Sequence, residues 1–209
     1  MLDFGDARKI LYENLIPFLK EPRSMNLIRP LLFLCALFCS GASSAADYGI
    51  EVERAEVVKR QQNYVLNADI NYRFSPKALD ALQNGVPLTV TVRVKLYRYR
   101  KYVWNKTIVS RRIRFRLSYH ALPRRFRVVS ESLGQQQNFA ELGNALVAMG
   151  QIRDVPLLSA AEISAEDSYI AQMKVSLDIE ALPLPLRSVA YVIPQWYISS
   201  GWYKWRLEE

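Results

Sequence analysis

The chain has 209 residues, half of them hydrophobic, and carries 28 Lys and Arg against 20 Asp and Glu, a net charge of +8. This balance suits one or two globular domains and excludes a disordered or collagen-like chain. Two cysteines and a single histidine exclude a disulfide-dense scaffold and leave little room for a classical zinc site.

Residues 1–24 contain four acidic side chains. They read either as a short extension or as a misassigned start, with Met25 the true first residue. Residues 25–46 have the layout of a secretory signal peptide. Arg29 supplies the positive charge, Leu31 to Cys39 an apolar stretch, and Ser40 to Ala46 a run of small residues. Ser44 and Ala46 fit the small-x-small rule, which places cleavage before Asp47. The apolar stretch is shorter than the roughly 20 residues a spanning helix needs, which weighs against an uncleaved anchor. Cys35 and Cys39 follow Leu34 and Phe38, where a lipoprotein signal requires a small residue.

Residues 47–209 then form one expected β-rich envelope domain without cysteine. A first strand is expected over Ile50–Val58. Tyr64, Leu66, Ala68, Ile70, Tyr72 and Phe74 alternate with polar residues, the period of a half-buried strand. Ser75-Pro76 opens a short helix and Asn84-Gly85 ends it. Leu88–Leu96 and Ile113–Tyr119 alternate in the same way. With Asn105-Lys106 as a two-residue turn, Leu96 faces Phe115, Lys95 faces Arg116 and Tyr97 faces Arg114. Phe126, Val128 and Ser130 make a shorter strand. Asn138 to Met149 reads as a helix, with Asn138 and Glu141 as its capping box. Residues 151–167 look irregular. Tyr169–Ile179 alternates again, Leu182–Leu186 reads as an extended connection, and a last strand is expected from Ile193 to Trp205. The fold class is mainly β: an antiparallel two-sheet β-sandwich, Ig-like in architecture, with two short helices. A single curled sheet closed over the longer helix is the alternative.

Several of these segments carry a family resemblance. They are Ala68-Asp69-Ile70-Asn71-Tyr72, Ala81 to Leu88, Leu117 to Leu122, the Leu177–Arg187 stretch ending Leu-Pro-Leu-Pro-Leu-Arg, and Ser200 to Trp205. On them the chain resembles a family of uncharacterised proteobacterial exported proteins, a domain of unknown function also called proline-rich signal peptide proteins. The resemblance implies an envelope protein and brings no catalytic residue and no ligand. Relatives are often encoded near a membrane sensor kinase, which implies a role beside a membrane protein. Asn105 departs from the aspartate common in the family.

Few residues point to chemistry. His120 is the one neutral-pH acid–base candidate, and as a strand-end histidine it lacks a nucleophile-elbow motif elsewhere in the chain. Asp69, Asp178 and Glu180 fall on outward positions rather than across a cleft. No phosphate loop, dinucleotide fingerprint or calcium loop is present. The expectation is therefore no enzyme, no cofactor, no catalytic residue and no metal ligand.

The strongest signal is charge. Residues 93–127 contain 13 Lys or Arg and no Asp or Glu, whereas residues 131–209 contain five basic and ten acidic residues. Arg93, Lys95, Tyr97, Arg112, Arg114 and Arg116 share the outer strand face and form a candidate anion-binding face. Trp196, Trp202 and Trp205 form a candidate aromatic contact patch. A solvated face, or one covered by the acidic C-terminal half, would explain the arginines without a ligand. The expected function is a non-enzymatic envelope binding or accessory domain beside a membrane protein or sensor. The alternative is a structural or assembly factor that docks on anionic lipid or lipopolysaccharide through the basic hairpin. Export to the periplasm, with peripheral membrane association, argues against nucleic acid as partner.

Overall fold

The computed structural model describes residues 48–101, 104–164 and 166–207. The signal peptide expected over 25–46, the expected cleavage before Asp47 and residues 1–24 lie outside the described residues. Among the described residues nine strands run in chain order: β1 (Gly49–Arg60), β2 (Asn63–Arg73), β3 (Leu88–Arg98), β4 (Lys106–His120), β5 (Arg125–Ser130), β6 (Gln135–Phe139), β7 (Gln151–Ser159), β8 (Tyr169–Leu177) and β9 (Tyr203–Arg206). The helices are α1 (Pro76–Gln83), α2 (Leu142–Gly150) and α3 (Leu184–Ala190).

The strands form two antiparallel sheets. One has the order β1-β2-β7, the other β6-β5-β4-β3-β8-β9. Their inner faces contribute to one apolar core, the arrangement of a sandwich rather than of a single curled sheet. Alternation dictates which side chains enter it. On β3, Val90, Val92, Val94 and Leu96 are fully buried, while Arg93 between them is exposed. Burial of each such side chain contributes about 1.5–3 kcal/mol. On β2, Leu66, Ala68, Ile70 and Tyr72 do the same. On β1 the buried set changes parity, from Ile50 and Val52 to Ala55 and Val57. A bulge between Val52 and Arg54 absorbs the odd residue.

Helix α2 packs on β2 and β5, and α1 on β4 and the turn that carries Trp196. Ser75 caps α1 by accepting the Ala78 N–H at 3.3 Å, and Gly85 leaves it with φ +83°. At the end of α2, Gly150 meets β2 so closely that a Cβ there would stand 2.1 Å from the Ile70 carbonyl oxygen. Gly150 therefore serves close packing rather than a left-handed stop.

Five local expectations require correction. First, the two-residue turn at 105–106 does not form: β3 ends at Arg98, and Lys106, already in β4, pairs with it. Leu96 lies opposite Val109 and Phe115 opposite Val90, six residues from the expected register. An even displacement keeps every apolar residue inward, so alternation alone tolerates it. Second, Asn138 belongs to β6 and Phe139 ends it. The helix starts at Leu142, with Glu141 as N-cap and no side-chain capping bond. Third, residues 151–159 are strand β7, paired with β2 across two irregularities. Pro156 and Asp154, held at φ +52°, spoil its alternation. Fourth, Leu184 to Ala190 is helical, because prolines at the first turn give up no needed hydrogen bond. It is a third helix where two were expected. Fifth, the expected terminal strand is reduced to a 3₁₀ turn at Pro194–Trp196, a bridge between Ser199 and Ser176, and β9.

Candidate anion-binding face

β3 and β4 lie in the middle of the six-stranded sheet, with β8 beyond β3 and β5 beyond β4. Their outward positions therefore form a surface four strands wide. Arg93 stands opposite Arg112 on one side and Lys174 on the other, giving a cross-strand row of three cations from β4, β3 and β8. Lys95 stands between Ser110 and Gln172, with Lys204 of β9 one strand further. Arg114 and Arg116 lie opposite Thr91 and Thr89. The expected pairs Lys95–Arg116 and Tyr97–Arg114 do not form. They fall with the displaced register, and the like-charged pair is Arg93–Arg112 instead.

Arg93, Arg112, Arg114 and Arg116 are exposed, and Lys95 and Tyr97 are half-buried. Tyr97 accepts a hydrogen bond from Gln172 Nε2 at 2.7 Å. Lys95 Nζ lies 5.4 Å from the centre of the Trp202 ring, within cation–π range. Thr91 is buried on this face and donates its hydroxyl to Asp178 at 3.2 Å.

A groove of about 720 Å³ opens on this face, lined by Arg93, Lys95, Ser110, Arg112, Arg114 and Ser132 among others. The turn after β5 forms one wall. Ser132 Oγ accepts the Arg114 N–H at 3.3 Å and donates to the Arg112 carbonyl at 3.4 Å, which ties that turn to the β4 backbone. Glu131 also reaches the groove, but its carboxylate is engaged by Arg116 at 2.5 Å. Among the described residues, no carboxylate lies within ion-pair distance of Arg93, Lys95, Arg112, Arg114 or Lys174. Glu131 is the one described acid of the C-terminal half that forms an ion pair on this face.

The outer surface of the three-stranded sheet has the opposite character. Arg54 pairs with Glu56 at 2.7 Å, Arg60 with Asp154 at 3.7 Å and Arg73 with Glu51 at 3.8 Å, and Arg153 pairs with Asp69. Four of its arginines are thus paired with carboxylates, and the Arg54 guanidinium holds the Glu56 carboxyl below its usual value.

The tryptophan patch divides. Trp196 is a core residue, only 2% exposed, because the 3₁₀ turn folds it inward instead of presenting it on a strand. Trp205 is half-buried against the core and packs at 5.7 Å from Tyr203. Trp202 alone is exposed, beside Lys95. His120 is half-buried at the end of β4, opposite Arg125. Asp178 is engaged by Thr91, and Asp69 by Arg153.

Sequence reasoning missed Lys174, Lys204 and the β5 residues Arg125 and Arg127, which extend the same face. The parity of Lys174 was readable, but the neighbourhood of β8 and β3, distant in sequence, was not. Ser132 gave no signal, since it acts through a turn.

The geometry thus defines a mainly β, two-sheet domain in which Arg93, Lys95, Arg112 and Arg114 share an outer face with no carboxylate in ion-pair distance among the described residues. Residues 47–206 match the model of the domain of unknown function DUF4390, and the chain belongs to that family. No curated protein and no solved structure matches it.

Proposed function

We propose that this domain is a non-enzymatic binding or accessory module of the bacterial envelope that docks an anionic partner on the outer face of β4, β3 and β8. The observation that carries the reading is the contrast between the two outer surfaces. On one, Arg54, Arg60, Arg73 and Arg153 are each paired with a carboxylate, and the other leaves Arg93, Lys95, Arg112 and Arg114 without one. Like charges directly opposite one another destabilise a sheet unless something neutralises them, so the Arg93–Arg112 pair costs stability that a ligand would return. Export, suggested by residues 25–46, makes an anionic lipid leaflet, an anionic envelope polymer or the acidic surface of a membrane protein the available partners.

The test is cosedimentation of the full chain with vesicles of phosphatidylglycerol in phosphatidylcholine. Pure phosphatidylcholine measures any contribution from the apolar segment 31–39. Each basic residue near an anionic surface contributes about 1 kcal/mol. The double variant Arg93→Gln/Arg112→Gln should therefore bind about thirtyfold more weakly. Raising the salt should weaken wild-type binding as well. Equal binding to neutral and anionic vesicles, together with no acidic protein captured from solubilised envelope, would refute the reading.

A further inference from the structure

The cationic face has a focus, and the focus has a geometry. Arg112, Arg93 and Lys174 occupy one line perpendicular to three adjacent strands. Directly opposite residues have Cβ atoms about 5 Å apart, so long side chains from neighbouring strands reach a single small group placed above the middle strand. The groove beside this line adds Arg114, Lys95 and the hydroxyl of Ser110, and its one carboxylate is already held by Arg116. From this arrangement we infer that the three-cation row, with the groove along its β4 side, is a phosphate site, built for a phosphomonoester or pyrophosphate group, with Arg93 at its centre and Arg112 and Lys174 on either side. The inference rests on the anionic-partner reading above and narrows it to one chemical group.

The shape of the anion decides between candidates. A carboxylate offers two oxygens in one plane and one charge, which a single guanidinium fork satisfies. A phosphomonoester offers three oxygens on a tetrahedron and between one and a half and two charges. Of the two, the phosphomonoester is the one that accepts donors arriving from three strands at once and offsets their mutual repulsion. Trp202, exposed next to Lys95, supplies an apolar plane at the rim for whatever carries the phosphate.

Two sources share this chemistry, a lipid headgroup and a soluble or glycan-linked phosphate. Calorimetry with the full chain uses inorganic pyrophosphate as probe and acetate at equal ionic strength as control. Saturable binding of one pyrophosphate per chain is expected, with none for acetate. Lys174→Gln and Arg93→Gln should each weaken it at least tenfold. Arg206→Gln, on the same face but opposite Ile170 and outside the row, should change it less than twofold. Thermal melts of each variant check that it folds. A parallel arm compares vesicles of phosphatidic acid and phosphatidylglycerol matched in surface charge. A preference for phosphatidic acid that disappears in Lys174→Gln assigns the phosphate to a lipid. Pyrophosphate binding without that preference assigns it to a soluble or glycan-linked source.

Absence of saturable pyrophosphate binding, or equal losses for Lys174→Gln and Arg206→Gln, would overturn the phosphate site. In that case, salt-sensitive binding to anionic vesicles would leave the broader docking reading standing. Conversely, pyrophosphate binding with no affinity for any anionic vesicle or acidic envelope protein would retain the site and refute the docking surface.

Discussion

Replacing Gly150 by alanine sets two physical effects against each other. Gly150 lies in the last turn of α2, where alanine is favoured over glycine by about 1 kcal/mol on helix propensity alone. The added Cβ, however, would stand 2.1 Å from the Ile70 carbonyl oxygen, 3.2 Å from its carbonyl carbon and 3.6 Å from the Tyr72 ring. Ordinary carbon–oxygen contact begins near 3.3 Å, so helix and strand must separate by about 1 Å. Ile70 cannot yield easily, because it pairs with Val52 within the β1–β2 ladder. Overpacking of this kind costs about 1–3 kcal/mol, and a clash with backbone belongs at the upper end. The net expectation is a loss of about 2 kcal/mol, or roughly 4–8 °C in Tm for a domain of this size. Gly143 is the internal control, since a Cβ there meets nothing within 4 Å. Gly143→Ala, in the same helix, should be neutral or stabilising. Thermal and urea unfolding of both variants decides the matter. A Gly150→Ala protein at least as stable as wild type would refute the close-approach argument.

Two further predictions concern the core. The Tyr72 hydroxyl is buried with no hydrogen-bond partner among the described residues, and burial pushes its pKa above the usual 10. The raised value favours the neutral phenol in the folded state. This contribution is complete below about pH 10 and is lost as pH rises beyond it. Tyr72→Phe should therefore flatten the alkaline fall in urea midpoint between about pH 9 and 11 without lowering stability at pH 7, and an unchanged alkaline limb would count against it. Trp196→Ala should cost about 3–5 kcal/mol as a buried aromatic, whereas Trp202→Ala should cost far less and should alter anion binding more than melting temperature.

Strand identity was legible wherever one face meets the core and the other meets solvent. The runs at 64–74, 88–96, 113–119 and 169–177 announced themselves by period two. What stayed hidden has a shared cause: parity does not specify partners. The β3–β4 register could slide by six residues with no apolar side chain leaving the core, and only the pairing of Arg98 with Lys106 excludes the shorter turn. β7 was illegible because Asp154 and Pro156 interrupt it, and its pairing with β2 bridges some ninety residues of chain. Of the candidate face, the β3 and β4 cations were readable from composition and parity. Lys174 was not, because its place in the row depends on sheet order. Trp196 misled because an aromatic cluster looks the same in a core as on a surface.

Arg93, Lys95, Arg112 and Arg114 stand without a carboxylate on the outer face of β4-β3-β8, whereas Arg54, Arg60, Arg73 and Arg153 of β1-β2-β7 are paired, so the excess of positive charge lies on one side of the domain. In the field of a negatively charged surface such a body turns before it touches, so encounters begin with the six-stranded sheet foremost instead of in random orientations. The strands then lie parallel to that surface. The end of the sheet that carries Arg98 and Lys106, and the opposite end toward α3, then both lie at the sides, open to lateral neighbours, while the three-stranded sheet faces away.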